Sequence, residues 1–175
     1  MSETVSDTAA ILSGASVQRV RNALLERGAG ERVVVLDGAA RTAQQAADAL
    51  GCPVGAIVKS LVFSAQDRNG EKRAVMALVA GDRQCDVAAL GRALGLDAAP
   101  GRADAALVRE ATGFAIGGVA PLGHPQPLPI AIDASLKRFE RLHAAAGHPH
   151  AVFPLRYSEL LDWTGGMEVG DLTAG

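Results

Sequence analysis

Aromatic residues are scarce in this chain, since Phe, Tyr and Trp together make up 3% of its 175 residues. A core with so few rings has to be built from Ala, Val and Leu, and a nucleic-acid surface made of stacked rings is excluded. An excess of positive charge is also missing, because the formal net charge is −2. Duplex binders carry a broad basic surface, so a small anionic ligand or the end of a nucleic acid, held by local phosphate contacts, fits this composition better.

Cysteine is rare as well, and the two that occur, Cys52 and Cys85, lie far apart and belong to no CxxC pair. This spacing excludes a disulfide framework, and the four histidines match no compact metal motif, so no metal is expected. Residues 1–10 lack the basic start and apolar stretch of a signal peptide, and no apolar run reaches the length of a membrane span. These absences predict a cytoplasmic protein without a membrane partner.

Apolar residues are plentiful, at 49% of the chain, which is enough to bury the core of one domain over residues 1–175. Its two ends, 1–15 and 166–175, are expected to be loosely held. Helical and strand patterns are mixed along the chain, which predicts an α/β protein with a mixed sheet. The predicted helices cover residues 16–26, 42–51, 86–94, 103–111 and 158–163, with a helical turn at 135–140, and the predicted strands cover 32–36, 57–65, 73–80, 114–116, 129–133 and 151–155.

Local signals support several of these elements. Ser16 is predicted to cap the first helix, and the sequence from Thr42 to Gln45 has the spacing of a capping box. The strands at 57–65 and 73–80 flank Asn69-Gly70, a turn-forming pair, and are therefore predicted to form an antiparallel hairpin.

Lys59 interrupts a predicted buried strand, where it shares one face with Ile57, Leu61 and Phe63. A charge on an apolar face must reach solvent, pair with an anion or lose its proton. The chain has only three lysines, and a compact ammonium on a flexible stem suits a phosphate or a carboxylate. Two interpretations follow: Lys59 binds an anion in a functional site, or its stem covers core while its head reaches solvent at the strand end.

A loop rich in Gly and Pro follows at residues 117–125, where helix and sheet pairing are both disfavoured. Gly117 and Gly118 precede Pro121, so backbone N–H groups can converge on one point without side chains in the way. Such a nest binds an anion or polarises a carbonyl. The alternative is a plain turn between two strands.

Several segments taken together resemble the YbaK-type aminoacyl-tRNA deacylases, which are related to the editing domain of bacterial prolyl-tRNA synthetases. The resemblance extends from about residue 41 to 160 and implies a single α/β domain, with a mixed, mostly antiparallel sheet or a partly closed barrel flanked by helices. The segments that carry it are Thr42-Ala43, Ala46-Ala47, Leu50-Gly51, the strand from Ile57 to Phe63, Thr112-Gly113 and the loop from Gly117 to Gly123.

The resemblance implies hydrolysis of the ester that joins a wrong amino acid to the 3′-terminal adenosine of tRNA, without a metal, a cofactor or a covalent enzyme nucleophile. Lys59 is then expected to hold the terminal phosphate or ribose, while N–H groups of residues 117–121 bind the ester carbonyl. The resemblance, together with position in the chain, assigns three residues to catalysis: Lys59, Gly117 and Gly118. Four residues are assigned to substrate binding in the same way: Ser60, Val119, Pro121 and Asp133.

Some candidates have simpler interpretations. Asp133 either selects the substrate ammonium or caps the helical turn that begins at Ser135. His148-Pro149 resembles loosely the context of a histidine in members that clear alanyl-tRNA. Cys85 has no identifiable base beside it, so a small packed residue is favoured over a thiol nucleophile. Four arginines are expected to be solvated charges, of which one or two contact tRNA phosphates: Arg102, Arg109, Arg138 and Arg141.

The predicted function is a trans-editing hydrolase that removes a small amino acid such as Cys, Ala or Ser from tRNA-Pro or a related tRNA. Its partners would be the aminoacyl-tRNA 3′ end and an aminoacyl-tRNA synthetase. Members that hydrolyse cysteinyl-tRNA carry an aromatic residue where this chain has none, at residues 33–37. Two alternatives remain open: a non-catalytic module that binds the tRNA acceptor end or a synthetase, and a domain in which Lys59 holds a free carboxylate or phosphate.

Overall fold

The computed structural model describes residues 2–174, and a mixed sheet runs through the middle of the molecule. The helices are α1 (Ser2–Ser13), α2 (Ala15–Glu26), α3 (Ala43–Leu50), α4 (Val87–Ala93), α5 (Ala105–Thr112) and α6 (Tyr157–Thr164), and short 3-10 helices cover Val54–Ala56 and Ala134–Arg138. The strands are β1 (Val34–Val35), β2 (Ile57–Gln66), β3 (Lys72–Ala80), β4 (Gln84–Cys85), β5 (Gly101–Arg102), β6 (Ile130–Asp133), β7 (Leu142–His148), β8 (Ala151–Leu155), β9 (Met167–Val169) and β10 (Thr173–Ala174).

The main sheet has the strand order β1-β8-β7-β2-β3-β6-β9, and β5 also pairs with β2. Parallel pairing joins β2 to β7, β3 to β6 and β6 to β9, whereas the other pairs are antiparallel. The predicted α/β class and mixed sheet are therefore confirmed. The alternative of a partly closed barrel is wrong, because β1 and β9 end the sheet and do not pair with each other in the described residues.

The hairpin of β2 and β3 forms where the sequence predicts it, with a register that runs from Val58 opposite Ala80 to Gln66 opposite Lys72. Its turn is closed by a hydrogen bond from the Asp67 backbone N–H to the Glu71 carbonyl oxygen, 2.9 Å long. This hairpin places Lys59 within the longest strand of the sheet.

Three predicted helices begin at side-chain caps, including the cap predicted at Thr42, because an N-cap oxygen satisfies backbone N–H groups that lack partners in the first turn. Thr42 accepts a hydrogen bond from the Gln45 N–H, and Asp86 and Asp104 accept equivalent bonds at the starts of α4 and α5. The helix α3 ends at Gly51, whose φ of 66° is the left-handed conformation that glycine adopts without strain.

The start of α2 differs from the prediction. This helix begins at Ala15 with Gly14 as its N-cap and without a side-chain capping bond, so Ser16 lies inside the first turn. Segment 114–116, predicted as a strand, is an irregular turn in which Phe114 is fully buried and Ile116 is exposed. The apolar character of this segment is explained by the burial of Phe114 in the large core cluster and not by strand pairing.

The strand β7 and the structure of the chain ends were not expected from the sequence. Residues 142–148 are rich in Ala and His and carry a weak strand signal, yet they pair with both β2 and β8. Residues 2–13 form α1, and the C-terminal region, expected to be loosely held, buries Val169 and Leu172 in the core. Tertiary packing therefore orders a segment that has no strong local signal of its own.

The core lies on both faces of the sheet, because β3 is covered on both sides. Met76 and Leu78 point into a large cluster under α2, while Val75, Ala77 and Val79 point into a second cluster that includes Leu90 of α4. This alternation is the pattern of a central strand. A third, small cluster joins α3 to the start of β2 through Ala46, Ala47 and Ile57.

Candidate functional site

An open cleft lies along one edge of β2. Its volume of about 920 Å³ is typical of ligand sites. The sheet is interrupted there: β2 pairs with β7 only at Ile57 and Val58, and with β5 only at Phe63 and Ser64. The stretch 59–62 therefore has no neighbouring strand on that side among the described residues. The gap exposes backbone as well as side chains to the cleft.

The direction of the free backbone groups follows from the ladder with β3. The Gly81 N–H donates to the Ile57 carbonyl, 2.8 Å away, so odd-numbered residues of β2 turn their backbone groups toward β3. Because the direction alternates along an antiparallel strand, Ser60 turns its N–H and C=O away from β3. These two groups face the cleft, since Ser60 lies in the stretch without a neighbouring strand.

Lys59 lines the cleft, and its side chain is half-buried. Its Nζ donates a hydrogen bond of 2.5 Å to the carbonyl oxygen of Arg83. Burial lowers the pKa of the Lys59 ammonium, while the charges of Asp82, Cys85 and Asp133 oppose that shift. The partner of Lys59 is thus a neutral carbonyl, which leaves two of its donor hydrogens for a bound group.

Gly117 also lines the cleft, with φ of 99°, and Val119 follows on the same wall. Gly118 is buried beneath them, and its N–H already donates to the Ala115 carbonyl oxygen, 3.1 Å away. A Cβ at Gly118 would lie 2.9 Å from the carbonyl carbon of Gly147 and the backbone nitrogen of His148. Gly118 therefore allows close packing of the loop against the end of β7.

Two residues expected to bind substrate lie elsewhere. Pro121 is buried and lines a separate cavity beside α2 and α6. Asp133 is 1% exposed, and its carboxylate accepts hydrogen bonds from the Ala80 N–H and from the N–H and hydroxyl of Ser135. Asp133 therefore caps the 3-10 helix at Ala134–Arg138 and ties it to β3, as its simpler interpretation predicts.

Ser60 does lie at the cleft, on the opposite face of β2 from Lys59. Its Oγ is buried and has no hydrogen-bond partner in the part of the chain whose side chains are described, residues 7–174. The apolar residues that line the cleft and pack in the large core cluster on this face are Val58, Val62, Ala103, Val119, Ala144 and Ala151. A lone hydroxyl among short apolar side chains marks a compartment suited to a small group.

Three further residues of the cleft were missed by sequence reasoning: Arg41, Arg83 and His143. Arg102, predicted as a candidate phosphate contact, and His148, predicted only from a loose family resemblance, line the cleft as well. Burial lowers the pKa of His143, helped by the charge of Arg141, and it lowers the pKa of His148, helped by His150. Both imidazoles therefore lie in the cleft as neutral groups near pH 7. No local pattern marks these residues, because they come from separate loops and strands.

Cys85 lies outside the cleft, and burial raises its pKa to about 11. The thiol is therefore protonated near neutral pH, as expected for a packed residue. Across the side chains of residues 7–174, no three His, Cys, Asp or Glu residues are grouped so as to hold a metal ion. In the same range, none of the helices combines the length and apolarity needed to cross a membrane.

Comparison with known proteins identifies relatives of this chain. The family model for the aminoacyl-tRNA editing domain matches residues 37–163. A crystal structure of a protein proposed to be a trans-editing enzyme for prolyl-tRNA synthetase is 42% identical, with a TM-score of 0.80 over 93% of this chain and 99% of that one. A crystal structure of a hypothetical protein is 25% identical, with a TM-score of 0.76 over 89% of this chain and 99% of that one.

A curated relative, the uncharacterized protein YwhH of Bacillus subtilis strain 168, is 28% identical over 152 residues, which covers 85% of this chain and 91% of that protein. The region that the family model matches, residues 37–163, includes the strand that carries Lys59 and the loop that begins at Gly117. Both walls of the cleft therefore lie inside the part of the chain that these proteins share.

Proposed function

This chain belongs to the aminoacyl-tRNA editing domain family, and from that premise we propose that it is a trans-acting deacylase. The proposed substrate is a tRNA whose 3′-terminal adenosine carries a wrong, small amino acid. The observation that carries the proposal is the gap along β2, which brings Lys59, the free backbone of Ser60 and Gly117 to one cleft.

The proposed reaction is attack of water on the ester carbonyl, followed by cleavage of the bond between that carbon and the ribose oxygen. The products are the free amino acid and a tRNA with a free terminal hydroxyl. An aminoacyl ester is already activated, so orientation and backbone donors directed at the developing oxyanion are sufficient without a metal or cofactor. The Ser60 N–H and the backbone around Gly117 are the proposed donors, and Lys59 binds the terminal phosphate or ribose hydroxyls.

Selection against large amino acids is proposed to occur in the compartment around the Ser60 hydroxyl. Its walls include Val58, Val62 and Val119, so a long side chain would require these core residues to move. An apolar pocket excludes larger groups well but separates small ones poorly, by about 1–3 kcal/mol per methylene. Cys, Ala and Ser remain the proposed amino acids, and tRNA-Pro is favoured by the relative proposed to act for prolyl-tRNA synthetase.

The test is hydrolysis of a panel of charged tRNAs, namely tRNA-Pro charged with Cys, Ala, Ser or Pro, by wild type and by Lys59→Ala. We expect wild type to hydrolyse one mischarged species selectively. The substitution should slow this hydrolysis about 10²-fold, the usual effect of removing an electrostatic contact from an active site. Lys72→Ala is the matched control, since Lys72 is exposed at the far end of the hairpin.

If no species is hydrolysed while uncharged tRNA binds saturably, the protein is a binding module and the proposal is wrong. Equal hydrolysis by wild type and Lys59→Ala would instead remove the role proposed for the lysine.

A further inference from the structure

Three arginines from separate segments meet at the cleft: Arg41 before α3, Arg83 between β3 and β4, and Arg102 on β5. Arg41 and Arg102 are exposed, and Arg83 is half-buried. Among the described side chains, those of residues 7–174, none of the three guanidinium groups makes an ion pair or a side-chain hydrogen bond. The Nε of Arg83 is both buried and without a partner.

Four arginines elsewhere in the molecule form ion pairs, whereas the three at the cleft do not. Arg32 binds Glu159 through two hydrogen bonds of 2.9 and 2.8 Å, and Arg138 binds Asp82 through two of 2.9 and 2.7 Å. An arginine fork presents several donors at fixed geometry and suits a carboxylate or a phosphate. Three unpaired forks around one opening therefore constitute an incomplete anion site.

The charge balance of the cleft supports an anionic ligand. Its charged lining consists of the three arginines, Lys59 and one carboxylate, Asp82. The hydrogen bonds from Arg138 lower the pKa of Asp82, so this carboxylate stays ionised but is already neutralised by its partner. The cleft is thus strongly positive in a chain whose net charge is −2. Clustered charge of one sign in a concave site concentrates ligands of the opposite sign.

We propose that Arg41, Arg83 and Arg102 bind the phosphodiester groups of the nucleotides that precede the terminal adenosine. This inference rests on the proposed function, because a single-stranded RNA end that delivers its ester to the cleft carries its phosphates across the opening. Phosphate contacts fix the register of a nucleic acid without reading its bases. The arginines therefore hold the strand in position, while the cleft wall selects the amino acid.

The direct test is binding of an uncharged RNA minihelix that ends in a single-stranded CCA, measured by fluorescence anisotropy between about 50 and 200 mM KCl. Three single-strand phosphate contacts predict a slope of log K against log salt of about −2, since each contact contributes about −0.7. Each single Arg→Gln substitution should make the slope shallower by about 0.7 and should weaken binding at low salt.

Arg92→Gln is the matched control, because Arg92 is an exposed arginine in the last turn of α4, a helix that contributes no residue to the cleft. This variant should bind the minihelix as wild type does. Far-UV circular dichroism of every variant verifies that the exposed substitutions leave the fold intact.

A second measurement separates this inference from the proposed function. The aminoacyl ester of free adenosine has no phosphate, so the triple Arg→Gln variant should lose at least about tenfold more activity on charged tRNA than on this minimal ester, mainly through a higher KM. If no ester is hydrolysed by wild type but the salt slope still depends on the arginines, the enzyme proposal fails and the RNA site stands.

If the three single variants bind the minihelix with the slope of wild type and Arg92→Gln, the arginine site is wrong. The inference is also overturned if poly-glutamate competes for the cleft as well as the minihelix does, because the arginines would then be a general anion patch.

Discussion

Lys59, to which we assign a role in substrate binding, works against stability. Burial lowers its pKa, so the folded protein holds the Lys59 proton less tightly than the unfolded chain does. The cost of the charge is therefore fully present below the folded-state pKa, falls as the pH rises past it and is gone above the unfolded-state pKa. A group kept in its charged form despite burial is expected where a ligand supplies the missing anion.

Replacing Lys59 with Met should consequently raise the melting temperature at pH 7 while slowing deacylation about 10²-fold, as is expected of Lys59→Ala. The substitution keeps the apolar stem and removes the poorly solvated charge. Thermal unfolding at pH 7 and at a pH above the folded-state pKa provides the measurement, and the gain should shrink at the higher pH. A lower melting temperature at pH 7 would mean that the bond from Nζ to the Arg83 carbonyl outweighs the burial of the charge.

Gly118 lies behind the cleft wall, at a position where an added side chain would meet backbone. The substitution Gly118→Ala places a methyl group 2.9 Å from the backbone of residues 147–148 at the end of β7. Either the loop that carries Gly118 or the end of β7 must therefore shift. We expect a loss of about 1–3 kcal/mol in the free energy of unfolding, the usual cost of overpacking, together with slower deacylation. Urea unfolding and single-turnover hydrolysis measure the two effects.

The control for that experiment is Gly170→Ala, since a Cβ at Gly170 has no atom within 4 Å and no positive φ to strain. This variant should unfold within about 0.5 kcal/mol of wild type. Equal stability of the two variants would show that the contact between the Gly118 loop and the end of β7 is looser than its geometry suggests.

Among the secondary-structure elements, α4 depends most visibly on a single side chain. Asp86 Oδ1 accepts hydrogen bonds from the N–H groups of Ala88 and Ala89, 3.0 and 3.1 Å away. The helix is short, so propagation alone stabilises it little, and its contact with the core is made through Leu90.

Asp86→Ala should therefore lower the free energy of unfolding by about 1 kcal/mol, the usual value of an N-cap. Asp86→Asn, which retains an acceptor oxygen at the same position, should recover most of the loss. Chemical denaturation of the three proteins gives the comparison. If both variants lose the same amount, the charge of Asp86 rather than its hydrogen bonds stabilises this region.

For the whole molecule, the sheet connects the core clusters on its two faces, because the side chains of β3 enter both. Unfolding of either cluster exposes this central strand, so we expect one cooperative transition. The single tryptophan, Trp163, lies in α6, and the guanidinium carbon of Arg32 is 5.0 Å from the centre of its ring. Trp163 fluorescence therefore reports on the region around α6, which is far along the chain from α4.

Urea unfolding followed by Trp163 fluorescence and by far-UV circular dichroism should therefore give coincident midpoints. Separate midpoints would indicate that the region around α6 opens independently, and the chain would then behave as two cooperative units. The control is refolding from urea, which should retrace the same curve by both probes.

The sequence by itself determined the elements whose signals are local. The caps at Thr42, Asp86 and Asp104 satisfy N–H groups within one helical turn, and the Asn69-Gly70 pair closes a hairpin between adjacent strands, so neighbouring residues are sufficient to predict them. The same holds for the placement of Lys59 in a strand. The resemblance of the whole chain to an editing family rested on the order of many such segments, and the family is confirmed.

Only the tertiary structure decided which of these residues meet. The cleft exists because β2 pairs with β7 and β5 at separate points, and both partners come from distant parts of the chain. That pairing leaves Ser60 at a free edge and gathers the three arginines, while it buries Asp133 and Pro121 away from the cleft. Long-range pairing is selected by the fit of the whole core, so no local pattern in the sequence records it.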